Sequence, residues 1–560
     1  MNRRINSVRR RHRRTAVAAL VIAGLLAACG GDSSSSSSSG DNSGSASTDG
    51  GSGATDRDVM ILRDMDLSTL DLHRMWCDTC MIVLSGVYER LVNVDPADPS
   101  KLVPGLATEW SANEDNTEFT FRLNPAATFA DGTAVTSADV KWSYERSANM
   151  KAGGSFMLTG LVRVDTPDPQ TAVVVFDKPN APFLKIAGAA LALSVANSAL
   201  LTEQAGALTG PGSDTDPADT WFSQGKSAGS GPYVVESFTS EDRIVLVRNE
   251  NYWGNAAPFA SITIKEVTDS ASQLLQMQSG DADIAMNISF DSLAEVDTID
   301  GVTATALDSY NFIHLNLNQH APGGEPFADV RVRQAIRHAI DYEALIEATL
   351  AGNGRVQATA IPNGFPGTED LPLPTYDVDK AKELLAEAGY ADGFALEAEY
   401  FQANIYGVEF DVMWQRIQQD LDAVGIDLTL KPVDGPQWVD TMTTEGHAFT
   451  TTFFAPDFID ASEYIQYFGP VTGSPRGFGV PSPGAELAID AEADALLTEG
   501  LSQVEPARWA TWAKIGQIMV DDAEVLPVVN PKTLFVTVDD IPISTLSPCC
   551  VLDLARLAPA

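Results

Sequence analysis

The sequence is poor in the residues that carry covalent and metal chemistry. Its 560 residues include five Cys and six His. The His side chains stand at positions 12, 73, 314, 320, 338 and 447, and none forms an H-x-x-x-H or similar ligand pair. Their spacing therefore supplies no metal site. The run G-x-x-x-x-G-K-[ST] is missing, which excludes an ATP-cradling loop. Cations are scarce too: 36 Lys and Arg stand against 76 Asp and Glu, a formal net charge of -40. A chain this acidic repels phosphate, so nucleic acid and anionic membrane surfaces are poor partners; the charge itself favours solubility. No internal repeat is visible. No stretch after the first 28 residues is apolar for long enough to span a bilayer.

What is present begins with an address. Arg3, Arg4, Arg9, Arg10, Arg11, Arg13 and Arg14 form a cationic segment without an acid, and Thr15 to Ala28 is apolar but too short to span. The segment ends in Leu26-Ala27-Ala28-Cys29, which resembles a bacterial lipobox, with Cys29 as the lipidated mature N-terminus. Gly30 to Gly53 is almost all Gly, Ser, Asp and Thr, the composition of a flexible tether. The expectation is a protein anchored to the outer face of a membrane, not spanning it.

The other cysteines are Cys77, Cys80, Cys549 and Cys550. An even count in an exported chain suggests disulfides, and four Cys allow three pairings. Pairing the adjacent Cys549 and Cys550 closes a strained ring. The favoured reading ties Cys77/Cys80 to Cys549/Cys550, joining the chain ends. The alternative, a zinc site built from four thiolates, fits poorly because adjacent Cys do not match the usual ligand spacing.

Hydrophobic periodicity sorts the remainder. Phe119, Phe121 and Leu123 alternate with Glu118, Thr120 and Arg122, as in a half-buried strand. Asp131-Gly132 marks a turn, and Ser137 reads as the N-cap of a helix carrying Val140, Trp142 and Tyr144. The stretch from Leu102 to Ser147 thus reads as a small antiparallel sheet with a helix docked on it. Asp329 reads as the cap of one helix running to Leu350. Further on, Phe394 to Tyr400, the amphipathic run Phe410 to Val424, and Ile426 to Val433 read as strand, helix, strand, a βαβ unit.

Catalytic motifs carry little. Gly225-Lys226-Ser227-Ala228-Gly229 matches G-x-S-x-G, but polar residues precede it and Gly231-Pro232 follows, where a nucleophile elbow needs strand and helix. A secreted serine hydrolase at Ser227 is kept as an alternative. Asp214, Asp216 and Asp219 lie in a loop and could bind calcium, but they lack the Gly and distal Glu of an EF-hand. The best pocket candidate is Phe453 to Asp460, where Asp457 is framed by Phe453, Phe454, Pro456 and Phe458. Aromatic walls around one fixed acid suit a small ligand carrying an amine.

Several ordered blocks resemble one family. Leu102-Val103-Pro104-Gly105-Leu106-Ala107 with Trp110, Phe129-x-Asp131-Gly132-Thr133 and Ala138-Asp139-Val140 form the first; Gly229-Ser230-Gly231-Pro232-Tyr233 and Arg248-Asn249-x-x-Tyr252-Trp253 the second. Asp329 to Ile336, Ala339-Ile340-Asp341 and Ala381 to Gly389 follow. Together they resemble the family 5 extracellular solute-binding proteins of ABC importers, which include oligopeptide-, dipeptide- and nickel-binding members. The resemblance implies an α/β, two-lobed periplasmic-binding-protein-like (type II) fold with an extra subdomain inserted in the first lobe. The implied plan is a signal peptide at 1–28 and a tether at 29–56. The first lobe takes 57–95 and 226–312, the inserted subdomain 96–225, the second lobe 313–525, and the chain returns to the first lobe at 526–560.

The implied function is non-catalytic: capture of a peptide or similar small polar solute between the lobes, and delivery to a membrane permease. A non-peptide ligand, such as an oligosaccharide or metal chelate, is the alternative. A monomer without a cofactor is expected. In peptide-binding members an Asp pairs with the ligand's α-amino group, and Asp457 holds that position. Here Phe453 and Phe454 stand where Trp is usual, and Pro456 precedes the acid. His73, Arg74 and Trp76 replace a Pro-containing turn and are expected to face the cleft. Trp438 completes the ligand-binding candidates.

Overall fold

A computed structural model describes residues 54–95, 98–476, 489–547 and 551–560. Cys29, the tether to Gly53, and Cys549 and Cys550 lie outside the described residues.

Two sheets define two lobes. The first runs Val302–Leu307, Thr533–Val538, Ile284–Ala285, Asp58–Arg63, Ser261–Glu266, Arg243–Arg248, Tyr233–Thr239. Asp58–Arg63 sits inside it, parallel to Ser261–Glu266 with Ile61 opposite Ile264. It is buried on both faces: Val59 and Ile61 join one core, Leu62 another. That explains why its sequence, DVMILR, is a continuous apolar run rather than an alternation. The second sheet orders Gly354–Arg355, Val525–Pro531, Phe312–Leu317, Phe449–Phe454. Every residue of Phe312–Leu317 is buried. The βαβ unit forms as its periodicity implied: Phe394–Phe401 pairs in parallel with Ile426–Val433, and the intervening helix Phe410–Asp422 buries Phe410, Met413, Trp414, Ile417 and Leu421.

The stretch from 107 to 176 makes a four-stranded antiparallel sheet. The helix Ser137–Met150 docks on it through Val140 and Tyr144. Its cap lies one residue earlier than the expected Ser137. Thr136 and Asp139 form a capping box, with Thr136 N–H and Oγ1 both donating to Asp139 Oδ2. Similarly, the helix expected from Asp329 to Leu350 is two, Val330–Ala339 and Tyr342–Leu350. Asp341 restarts the turn by accepting from Ala344 N–H. Two motif glycines are explained by close backbone approach. A Cβ on Gly229 would stand 1.9 Å from Val87 O, and one on Gly105 2.6 Å from Arg90 O.

The chain passes between the sheets at 308–311 and again at Lys532, because Val525–Pro531 still pairs with Phe312–Leu317 and Thr533–Val538 pairs with Val302–Leu307. The return therefore falls after Pro531 rather than at 526. The two crossings are laced together. Ser309 Oγ donates to Pro531 O at 2.6 Å, Asn530 Nδ2 donates to the carbonyls of Ser309 and Asn311, and Arg355 bonds Asn530 and Ser309 O.

The favoured disulfide pattern is overturned. Cys77 bonds Cys80, with Cα atoms 4.9 Å apart, at the start of the helix Asp78–Val87. The segment after Ser547 still meets this helix, through packing. Val551, Leu552, Leu554 and Leu557 share a core with Ile82, Val83 and Leu84, and Leu554 N–H donates to Ser85 Oγ at 2.9 Å.

Candidate functional site

The strand Phe449–Phe454 ends in a loop, Ala455 to Ile459, that carries the chain across toward the other lobe. Asp460 then caps the helix Ala461–Phe468, accepting from Ser462 N–H and from Arg508 Nη2. The loop folds back on the helix. Asp457 N–H donates to Glu463 Oε1 at 2.8 Å, and Phe458 N–H donates to Glu463 Oε2 at 3.2 Å. Glu463 is 1% exposed. Burial pushes Asp457 up to about 7. Burial and then the charge of Asp457 raise Glu463 well above the usual carboxylate range. Asp457 is half-buried as a residue, yet its carboxyl is packed densely enough for burial to dominate.

Aromatic rings continue from this pair across the lobes. Tyr467, on the same helix, is raised first by burial and then by the field of the two acids. Its ring lies 5.2 Å from Phe454 and 6.0 Å, edge-on, from Phe156, which meets Trp76 at 5.3 Å. Trp76 remains 39% exposed and Phe453 37%. Phe458 crosses completely and is buried in the core of the four-stranded subdomain. Alongside, Ala181 N–H donates to Leu501 O at 3.1 Å, and Lys185 meets Glu505 at 2.5 Å.

The structure brings Asp457, Phe454 and Trp76 to this line of contact, and assigns other expected residues elsewhere. His73 and Arg74 are drawn into an ion-pair network around Asp71. His73 Nδ1 lies 2.8 Å from Arg146, and Arg74 bonds Asp71 and Asp216 at 3.0 and 2.9 Å. Burial, and next the Arg146 charge, push His73 down to about 3. These side chains hold the segment leading into Trp76. Trp438 is buried in the second lobe, donating to Thr450 Oγ1 and stacking on His447 at 5.0 Å. It backs Phe401, whose ring is 6.5 Å from Phe453. Phe453 itself meets Tyr406 at 5.7 Å. The three loop acids go separate ways: Asp216 to Arg146 and Arg74, Asp214 to Lys151, Asp219 to Thr69. Ser227 lies outside any strand-turn-helix, and its Oγ accepts from Val235 N–H at 3.2 Å. Among the described residues no group of His, Cys, Asp or Glu could hold a metal.

Glu463, Tyr467 and Phe156 were not legible in the sequence. Asp460 and Glu463 have the spacing of a capping box, which disguises the second acid as a helix start. Phe156, in a Gly-rich run, carries no periodic signal.

The architecture is that of a periplasmic-binding-protein-like fold. Residues 101–475 match the model for bacterial extracellular solute-binding proteins, family 5 (middle), and the chain belongs to that family. It is similar to the probable D,D-dipeptide-binding periplasmic protein DdpA of Escherichia coli K12, at 28% identity over 84% of this chain and 88% of that protein. It is 25% identical to the glutathione-binding protein GsiB of Salmonella typhi, over 68% and 70% respectively. Among solved structures it superposes on Helicobacter pylori DppA in complex with peptide STSA, with TM-score 0.74, 19% identity, and 90% and 98% of the two chains covered. It also superposes on Brucella suis NikA in complex with Fe(III)-EDTA, with TM-score 0.75, 20% identity, and 90% and 100% covered.

Proposed function

We propose that this chain is the substrate-binding component of an ABC importer, taking a peptide or similar small solute that presents a primary ammonium. The supporting observation is Asp457, an acid whose carboxyl is pushed up to about 7 by burial and whose field reaches Tyr467, from which a line of rings runs through Phe156 to Trp76. A buried acid with aromatic walls favours an ammonium over a neutral ligand. Dipeptides and glutathione, named for the relatives above, both carry a free α-amino group. Closing the lobes around the ligand excludes water and strengthens that contact, and differential affinity for the closed form drives closure. The closed form is then the species a permease accepts. The sequence Leu26-Ala27-Ala28-Cys29 supports lipid anchoring through Cys29 at the outer face of the membrane. No described helix is long and apolar enough to cross a membrane.

The test is calorimetry with small peptides and their N-acetylated forms. Free-amine peptides are expected to bind, acetylation to weaken them at least tenfold, and Asp457→Ala to cause a comparable loss. Equal affinity for free and acetylated peptides would remove the ammonium from the reading.

A further inference from the structure

Phe453 is the one exposed residue of the strand Phe449–Phe454, at 37%. Its ring is held from two sides. Phe401 stands edge-on at 6.5 Å, backed by Trp438, and Tyr406 stands edge-on at 5.7 Å. A ring whose plane is fixed by its neighbours and whose remaining surface is open offers a stacking face.

Tyr406 reaches Phe453 from an unfavourable backbone position. Asn404–Ile405 and Val408–Glu409 pair as a hairpin with Ile405 opposite Val408, so Tyr406 and Gly407 are its two loop residues. Both have positive φ, 53° and 87°. Such a loop favours Asn-Gly, Asp-Gly or Gly-Gly, because a side chain at left-handed φ crowds its own backbone and a bulky one does so most. Among the described residues Tyr406 is the only aromatic one at positive φ; Lys151, Ala351 and Ala523 there are helix ends. The surroundings hold the turn in place. Asn404 Oδ1 accepts from Gly407 N–H at 3.1 Å, and Asn404 Nδ2 donates to Glu409 Oε1 at 2.7 Å. A Cβ on Gly407 would stand 3.1 Å from the ring of Phe290, which lies in the chain between Ile284–Ala285 and Val302–Leu307 of the first sheet. The hairpin tip is thus seated against the other lobe. Strain that the fold maintains rather than relieves points to a use for the side chain it displays.

We propose that Tyr406 and Phe453 form an aromatic subsite, with Tyr406 as its specificity-determining residue, and that the ligand carries an aromatic side chain close to its ammonium. The inference rests on the solute-binding reading above and narrows its substrate class to solutes with a flat apolar group. Phe453 and Asp457 are four residues apart in the chain, so the wall and the acid stand within about 14 Å of each other. That span covers no more than about four residues of an extended peptide. Binding buries ring against ring, which favours an aromatic ligand over an alanine-sized one through apolar area and through the edge-and-face geometry of the rings. Tyr406 meets Phe453 through its ring, so a Phe in its place preserves the subsite.

The experiment is calorimetry on the purified full chain with three probes: Ala-Phe, Ala-Ala and N-acetyl-Ala-Phe. Expected for wild type is Ala-Phe binding about tenfold tighter than Ala-Ala. In Tyr406→Asn, which suits the left-handed turn, the preference falls to about threefold or less, with most of the loss on Ala-Phe, and the melting temperature of the unliganded protein does not fall. Tyr406→Phe keeps the preference, and Phe453→Leu removes it. Equal affinity of wild type for Ala-Phe and Ala-Ala overturns the proposal and leaves the ammonium reading standing. A preference that survives both Tyr406→Asn and Phe453→Leu also overturns it, as does a Tyr406→Asn protein that weakens both dipeptides alike and melts lower, the signature of a purely structural residue. N-acetyl-Ala-Phe binding as tightly as Ala-Phe removes the ammonium reading and leaves the aromatic subsite. Binding of neither dipeptide overturns both. The wild-type comparison decides the matter even where a variant fails to fold.

Discussion

Arg146 donates to both carboxylate oxygens of Asp71, at 2.8 and 2.7 Å, and neither side chain is exposed. The pair joins the helix Ser137–Met150 to the segment that leads into Trp76, and Asp216 closes it from a third direction at 3.2 Å. Burial alone would raise Asp71; the Arg146 hydrogen bonds and charge outweigh it and hold the acid below its usual range. Arg146→Met would leave two buried acids short of their shared cation. The expected loss is about 3–5 kcal/mol in denaturant unfolding. A loss below about 1 kcal/mol would mean that the network relaxes without it.

The acid limb of stability belongs to buried histidines. His73 and His314 are both pushed down to about 3, chiefly by burial, against about 6.5 when unfolded. The unfolded chain therefore takes up protons that the folded chain refuses. The stability they contribute is present above about 6.5 and is lost as pH falls toward 3, by about 1.4 kcal/mol per pH unit for each group. Glu524 works with the opposite sign. Burial raises it to about 7, so the stability it contributes is present below its unfolded value and lost as pH rises through 7. His314→Phe should flatten the decline between pH 6 and pH 4 in thermal melts, and Glu524→Gln the decline above neutrality. Unchanged slopes would place the titrating groups elsewhere.

Peptide mapping of the non-reduced protein should recover Cys77 and Cys80 in one internally linked fragment. Breaking so short a loop is expected to cost about 2 kcal/mol at most. A fragment joining either residue to Cys549 or Cys550 would contradict the structure.

Gly229→Ala puts a Cβ 1.9 Å from Val87 O, a clash with backbone that no rotamer relieves. The expected cost is about 1–3 kcal/mol, read as a lowered melting temperature with the unliganded far-UV spectrum retained.

Lys185 and Glu505 bridge the lobes as a partly exposed pair. Glu505→Gln should weaken ligand binding less than tenfold, with the difference shrinking in high salt. A loss as large as that of Asp457→Ala would make the bridge a principal closure contact.

Local pattern and composition carried much of this protein. The βαβ unit, the alternation in Glu118–Leu123, the acidic balance and the order of the motif blocks are statements about neighbours in the chain, and periodicity reports neighbours directly. Asp457 stood out as a candidate because an acid framed by Phe and Pro is unusual in a strand exit. What the sequence could not decide was every contact between distant segments. His73 and Arg74 have the residue types of a binding site, and only the arrival of Arg146 and Asp216 from elsewhere in the chain turned them into a buried support. Cys77 and Cys80 pair with each other rather than across the chain, a choice that depends on where the chain folds and not on the count of Cys. Glu463 looked like a helix cap until the loop folded back and set it against Asp457, where low dielectric makes the second charge expensive. Residue types and short-range order determined the family; the burial of charges was set by the tertiary structure, because desolvation depends on what surrounds a group in space.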